Sequence, residues 1–210
     1  MEVMKLRFWI TVLVAACVVP LVSCADDEDT TDSQRNNIVR YLTSTHVPRL
    51  ISAEEAETSL EVDPPFYEVM ERNVYRYISN YYDAGRDERP QAERGDEVEL
   101  TYTAYVFTGG VPRTESVYAS NDAETIAALA EAGLNPEYWS SEPLRVKLGA
   151  TDIIKGVALS LEGCRAGDEV EAYMTFDMAY DDDVVGVVPK ESAVVWIYTV
   201  NKVSKSRAAR

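Results

Sequence analysis

The sequence predicts an α+β fold, an antiparallel β-sheet curled around a short α-helix, and three observations predict it. From Gly95 onward Val98, Leu100, Tyr102, Ala104 and Val106 alternate with Glu99, Thr101, Thr103 and Tyr105, the period of a half-buried strand. Two further strands are read over Val170 to Met178 and Ala193 to Val203, the second placing Val194, Trp196, Tyr198 and Val200 on one face. Helical spacing of apolar residues is confined to short stretches, so the sheet dominates.

The chain opens with Lys5 and Arg7, followed by a nearly unbroken apolar run from Phe8 to Val22. This is the charged start and apolar middle of an export signal, and it is shorter than the roughly 20 residues a membrane-spanning helix needs. The run ends at Leu21-Val22-Ser23-Cys24, which resembles the lipobox of bacterial lipoproteins. That resemblance implies a signal peptide over residues 1–23, and acylation of Cys24 as the first residue of the mature chain. Two or more acyl chains on one residue hold a soluble domain at a membrane where a single chain binds only marginally. The alternative is an ordinary cleaved signal with a chance cysteine. Ala25-Asp26-Asp27-Glu28-Asp29 follows, a block no core can bury, and residues 24–31 are expected as a solvated acidic tether. Such a run directly after the cysteine resembles the surface-export signal of Bacteroidetes lipoproteins. The expected location is the cell envelope, as an outer-membrane lipoprotein exposed at the surface, with a periplasm-facing arrangement as the alternative.

Residues 32–93 form an N-terminal extension. Ile38, Tyr41 and Leu42 sit at helical spacing within Asp32 to Leu42, a helix too short to stand undocked. Phe66 to Met70 and Val74 to Ile78 flank Glu71-Arg72-Asn73, a β-hairpin with Asn73 suited to the turn. The polar stretch Asp83 to Glu93, with Gly85 and Pro90, is the best internal boundary. Beyond the first core strand, Gly109-Gly110 breaks the pattern, and Asn121 to Gly133 reads as an inserted helix with Asn121 as its cap and Glu124 completing a capping box. Strand periodicity resumes at Leu144, Val146 and Leu148. Thr151 to Leu161 offers Ile154, Val157, Ala158 and Leu161 to one side of a short helix, closed by Gly163.

The formal net charge of −16 argues against nucleic acid or anionic lipid as partners, whose phosphates would be repelled. With Cys24 acylated, Cys164 stands alone after signal removal and reads as a small buried hydrophobe rather than a reactive thiol. Asp181-Asp182-Asp183 lacks the glycine-spaced loop and distal glutamate of a calcium site and reads as a solvated loop. His46, the only histidine, has no Cys or His partner nearby and reads as a surface residue. No metal or cofactor is called for. The hairpin tyrosines, Tyr67, Tyr75, Tyr77, Tyr81 and Tyr82, read as cross-strand packing, with stacking on a sugar or a protein partner as the alternative.

Three segments carry a resemblance to an FKBP-type domain over residues 94–204, with 205–210 as a tail. The first is Arg94-Gly95-Asp96 leading into Val98 to Thr103. The second is Leu148-Gly149-Ala150-Thr151-Asp152-Ile153-Ile154-Lys155-Gly156-Val157, followed by Leu161, Cys164, Ala166-Gly167-Asp168-Glu169 and, without a gap, Ala179-Tyr180. The third is Val187-Val188-Pro189 with Val194-Val195-Trp196. The resemblance implies peptidyl-prolyl cis-trans isomerisation of proline-containing polypeptides in an apolar bowl. Its implied lining is Tyr102, Tyr118, Leu144, Ile153, Ile154, Val157, Tyr180 and Trp196, with Tyr180 as hydroxyl donor and the Ile154 N–H as substrate anchor. The sequence departs from the family pattern in Tyr118-Ala119 for phenylalanine-aspartate, in Val157 for the floor tryptophan, in Asp181 for a glycine, and in the long segment Asp122 to Ser141. A catalytically inactive protein- or glycan-binding module is the competing function, and the oligomeric state is left open.

Overall fold

The computed structural model describes residues 23–206, so nearly all of the signal peptide expected over residues 1–23, and the last four residues, lie outside it. Helix α1 (Ser23–Ser44) leads to β1 (Ile51–Ser52), α2 (Ala53–Thr58), β2 (Phe66–Met70) and β3 (Val74–Ile78). Then come β4 (Glu97–Val106), β5 (Val117–Ser120), α3 (Ala123–Glu131), β6 (Leu144–Lys147), α4 (Lys155–Leu161), β7 (Glu169–Met174) and β8 (Val194–Ser204). One sheet runs β1-β2-β3-β7-β8-β4-β5, with β6 also paired to β4. Every pairing is antiparallel except that of β1 with β2.

The expected curled sheet around a short helix is present, and the extension is part of it. Strand β3 pairs with β7 from Val74 opposite Met174 to Ile78 opposite Val170, so the hairpin lengthens the sheet instead of standing apart. All five β3 residues are buried because the sheet is covered on both faces there. Val74 and Ile78 join Val98, Leu100, Val157, Leu161 and Trp196 in a core under α4. Tyr75 and Tyr77 join Ile38, Tyr41, Leu42, Phe107 and Tyr173 in a second core under α1. A strand buried on both faces loses the simple in-out alternation.

Several boundaries move. Helix α1 begins at Ser23, where a tether was expected from residue 24; its acidic residues Asp27, Glu28 and Asp29 remain exposed, and carboxylates are favourable near a helix N-terminus. The hairpin turn takes its left-handed residues at Glu71 (φ 46°) and Arg72 (φ 66°), not at Asn73; Asn73 instead reaches Asp177 Oδ2 through Nδ2 at 2.6 Å. The polar stretch 83–93 is stitched to the domain by Arg86 and by a bridge between Gln91 and Arg165. Strand β7 stops at Met174, where a helical turn over Phe176–Met178 takes over. The tail's first residues are held too, Lys205 Nζ lying 2.8 Å from both Glu93 Oε2 and Asp96 Oδ2.

His46 is buried, contrary to the surface position expected. Its Nδ1 lies 2.5 Å from the Pro48 carbonyl and its Nε2 lies 3.1 Å from Glu171 Oε2 on β7, with Tyr41 and Tyr77 edge-on to the ring. The Tyr173 hydroxyl donates to the same carboxylate oxygen. Burial alone would push the imidazole down, but the Glu171 carboxylate and the Pro48 carbonyl outweigh it and hold it above its ordinary value. A folded value raised above the unfolded one stabilises fully below pH about 6.5 and is lost as pH rises through the folded value. The gap in unfolding free energy between wild type and His46→Gln is therefore expected to narrow on titration upward from there, as denaturant melts over a pH series would record. A pH-independent gap would contradict this account of the contact.

Candidate proline-binding site

Strand β4 serves as the spine of the site. Its first half pairs with β6 from Glu97 to Leu100, and its second half pairs with β5 from Thr103 to Tyr105. The gap between, at Thr101 and Tyr102, is where the segment joining β5 to β6 departs. Asn121 fills that gap: its Oδ1 accepts from the Tyr102 N–H at 2.6 Å, and its Nδ2 donates to the Leu100 carbonyl at 2.9 Å and the Glu142 carbonyl at 3.0 Å. One amide thus replaces a missing strand partner and ties both ends of the inserted segment to β4. The helix cap expected at Asn121 is Asp122, whose Oδ2 accepts from the Thr125 N–H at 2.8 Å.

Helix α4 faces this spine across the core. It is shorter than the expected Thr151 to Leu161 because the chain stays extended through Ile154, its N-cap (φ −53°, ψ 140°). Gly156 lets it lie close on β7 and the turn that follows. A Cβ there would sit 2.5 Å from Met174 Sδ and 2.9 Å from the Met178 carbonyl oxygen, distances that packed atoms do not tolerate. The Ile154 N–H makes no hydrogen bond among the described residues.

All eight residues expected to line the bowl converge on one cluster. Val157 and Trp196 are buried in it, and Tyr102, Tyr118, Leu144, Ile153, Ile154 and Tyr180 are half-buried against it. The Trp196 indole stacks on Tyr102 with centroids 4.3 Å apart and planes 11° from parallel. The aromatic surface that Val157 does not supply from the helix is therefore built from β8 and β4. The Trp196 Nε1–H donates to the Tyr118 hydroxyl at 2.7 Å, and the Tyr180 hydroxyl makes a long contact to the same oxygen at 3.4 Å. Burial pushes the phenols of Tyr102, Tyr118 and Tyr180 above their ordinary value. All three stay neutral at physiological pH, so they offer hydrogen bonds rather than charge.

An open cleft of about 760 Å³ adjoins this cluster. Only Tyr102, Tyr118 and Leu144 of the eight border it. Its other walls come from Ala119, Ser120 and Asn121, from Trp139, Ser140, Glu142 and Pro143 ahead of β6, and from Arg145 on β6. Asn121 and Trp139 were not singled out as site residues from the sequence. An asparagine beside a capping position reads as a cap, and a lone tryptophan in a polar insert carries no motif.

Other singled-out groups lie elsewhere. Cys164 is free and buried behind α4, and burial first, against the pull of Arg76, leaves its thiol at about 11. Tyr67, Tyr75 and Tyr77 are buried under α1, while Tyr81 and Tyr82 pack edge-on around Phe66. Asp181 keeps the left-handed backbone (φ 54°) that a glycine adopts without strain. The side chain of Cys24 lies outside what is described.

Comparison with known proteins follows the geometry. The family model described as FKBP-type peptidyl-prolyl cis-trans isomerase matches residues 88–201, more than half of the chain. No curated protein matches. Among solved structures the chain is similar to the N-terminal domain of FKBP42 from Arabidopsis thaliana, at 14% identity and a TM-score of 0.49 over 70% of this chain and 98% of that one. It is similar also to FkpA from Escherichia coli, at 14% identity and a TM-score of 0.49 over 97% of this chain and 71% of that one. On the family match, the chain belongs to the FKBP-type peptidyl-prolyl cis-trans isomerase family.

Proposed function

We propose that this protein catalyses cis-trans isomerisation of peptide bonds before proline in exported polypeptides, held at the cell envelope by acyl chains on Cys24. The observation that carries the catalytic reading is the convergence of the eight residues around the Trp196–Tyr102 stack, with the hydroxyls of Tyr118 and Tyr180 at its polar end. Rotation about the bond is opposed by roughly 18–20 kcal/mol of lost amide resonance. No nucleophile or proton transfer is needed to lower it. The pyrrolidine ring packs on the aromatic stack. The Ile154 N–H receives a substrate carbonyl, and the Tyr180 hydroxyl exchanges its long contact to Tyr118 for the oxygen of the twisting bond. A dry, apolar surround disfavours the charge-separated planar amide relative to the twisted transition state.

A peptide prolyl-isomerisation assay on the full chain in detergent tests this. Wild type is expected to accelerate the exchange, and a folded Tyr180→Ala, Trp196→Ala double variant to abolish it. A folded wild type without acceleration would leave a binding module in its place. The lipid anchor rests on the Leu21-Val22-Ser23-Cys24 sequence; labelled fatty acid should enter the wild-type chain in cells, and its retention by Cys24→Ser would refute acylation there.

A further inference from the structure

Resting on the proposed isomerase reading, we infer that the N-terminal extension positions the loop that carries Tyr180, and that Gln34 on α1 is the positioning residue. The loop joins β7 to β8, and the Gln34 amide reaches both of its ends. Gln34 Oε1 accepts from the Phe176 N–H at 2.9 Å, and Nε2 donates to the Glu191 carbonyl at 2.8 Å. The same two residues grip the neighbour of Tyr180. The Phe176 carbonyl accepts from the Asp181 N–H at 2.9 Å, and the Glu191 N–H donates to the Asp181 carbonyl at 3.0 Å. One side chain, 142 and 157 residues distant along the chain, thus ties together the base from which Tyr180 projects.

The sequence of α1 aims that amide. Gln34 stands one turn ahead of Ile38 and two ahead of Leu42, on the side of the helix that those residues bury in the second core. Docking α1 therefore delivers Gln34 to the loop. The hairpin turn grips the same stretch, for the Asn73 carbonyl accepts from the Thr175 N–H at 3.1 Å and its Nδ2 donates to Asp177. Gln34 and Asn73 both precede residues 88–201, the part matched by the family model. Beyond Tyr180, residues 181–187 are all exposed, so hydrogen bonds at the base, rather than packing, hold that stretch. Asp181 also keeps a left-handed backbone, φ 54°, which a residue with a side chain retains only where its surroundings fix it. A hydroxyl donor displaced by about 1 Å loses much of its effect on rate, which is why the grip matters to Tyr180.

The test uses the full chain in detergent and compares wild type with folded Gln34→Met, which keeps the length of the side chain and removes both bonds. Gln34→Met is expected to lower kcat for a proline peptide roughly fivefold at unchanged KM. The double variant Gln34→Met, Tyr180→Phe is expected to lose no more than Tyr180→Phe alone, since an absent hydroxyl cannot be misplaced. Amide hydrogen exchange by NMR gives a readout independent of turnover. The Phe176, Asp181 and Glu191 amides should exchange roughly tenfold faster in Gln34→Met, while those of β4 keep their rates. Gln34→Glu retains the acceptor for Phe176 and lacks the donor for Glu191, so it should restore protection at Phe176 but not at Glu191. Losses that multiply in the double variant, an unchanged kcat in Gln34→Met, or unchanged exchange at the three amides would overturn the inference. Should folded wild type turn over no peptide, the isomerase reading fails by itself. The hold of Gln34 on the loop is then read from exchange alone, where faster rates at the three amides support it and equal rates overturn it.

Discussion

Replacing Arg76 by methionine is expected to lower the unfolding free energy by about 3 kcal/mol or more, because charge-assisted hydrogen bonds to buried acceptors contribute about 1.5–3 kcal/mol each. Arg76 projects from the hairpin strand β3 into the main core and is 8% exposed. Its NH1 donates to the Ser160 carbonyl at 2.9 Å and the Glu162 carbonyl at 2.6 Å, while Nε donates to Glu68 Oε2 at 2.8 Å. Ser160 lies in the last turn of α4 and Glu162 is its C-cap, where carbonyls have no partner within the helix. A cation from the extension thus closes the helix whose other end carries Ile154. Methionine fills the volume but takes the cation from the Glu162 oxygen and leaves the Ser160 oxygen only the Cys164 thiol, so equilibrium denaturation should show a lower midpoint with little change in slope. Cys164, whose Sγ lies 3.6 Å from the same NH1, should react faster with thiol reagents in the variant. A loss below about 1 kcal/mol, the size expected for one ordinary neutral bond, would show that the hairpin and α4 are energetically separate.

Asp168→Asn is expected to cost about 3–5 kcal/mol, the penalty for leaving a buried ion without its partner. Asp168 is fully buried and accepts from Arg86 Nε at 2.9 Å, Arg86 NH2 at 2.7 Å and the Arg165 N–H at 2.7 Å. The guanidinium of Arg86 also lies 4.5 Å from the centre of the Tyr81 ring, so it is fixed on several sides and cannot swing out to water cheaply. An asparagine keeps the shape but turns an NH₂ toward those donors. Thermal melts of the two variants should agree with the denaturant values, since about 1 kcal/mol shifts Tm by roughly 2–4 °C in a chain of this size. A double variant, Arg86→Leu with Asp168→Asn, should recover part of the loss. No recovery would mean that the pair does not act as a unit.

Both pairs explain why part of the fold was legible in the sequence and part was not. Alternation in Val98 to Val106 and Val194 to Val200 marks strands because one face is buried, and the motif around Ile153 to Val157 locates α4 and the cluster it packs against. The stretch 83–93 reads as a boundary because polar residues, Gly85 and Pro90 signal a loop. What ties it down is contact with residues far along the chain, a bidentate bond from Arg86 to Asp168 across 82 residues and bonds from Arg165 to the Asp87 and Arg89 carbonyls, which no local pattern records. The same holds for His46, buried by contacts to Glu171 and Tyr77 rather than by its neighbours. The sequence places the start of helix α1 late because Asp26 to Asp32 looks like solvated charge; Asp27, Glu28, Asp29 and Asp32 are exposed, but Thr31 is buried, on a helix docked further along by Ile38, Tyr41 and Leu42. The inserted helix was visible, but the role of Asn121 was not, since capping and strand completion make the same demand on its amide.

The most direct test of the isomerase reading is exchange spectroscopy by NMR on a proline peptide at equilibrium, with the full chain in detergent at catalytic concentration. The uncatalysed cis-trans exchange takes tens to hundreds of seconds. Wild type is expected to raise the exchange rate in proportion to its concentration, and a folded Tyr180→Phe variant to lose roughly tenfold of that rate, the effect of one transition-state hydrogen bond of about 1.4 kcal/mol. An exchange rate unmoved by folded wild type at any concentration would contradict the assignment of these residues to catalysis.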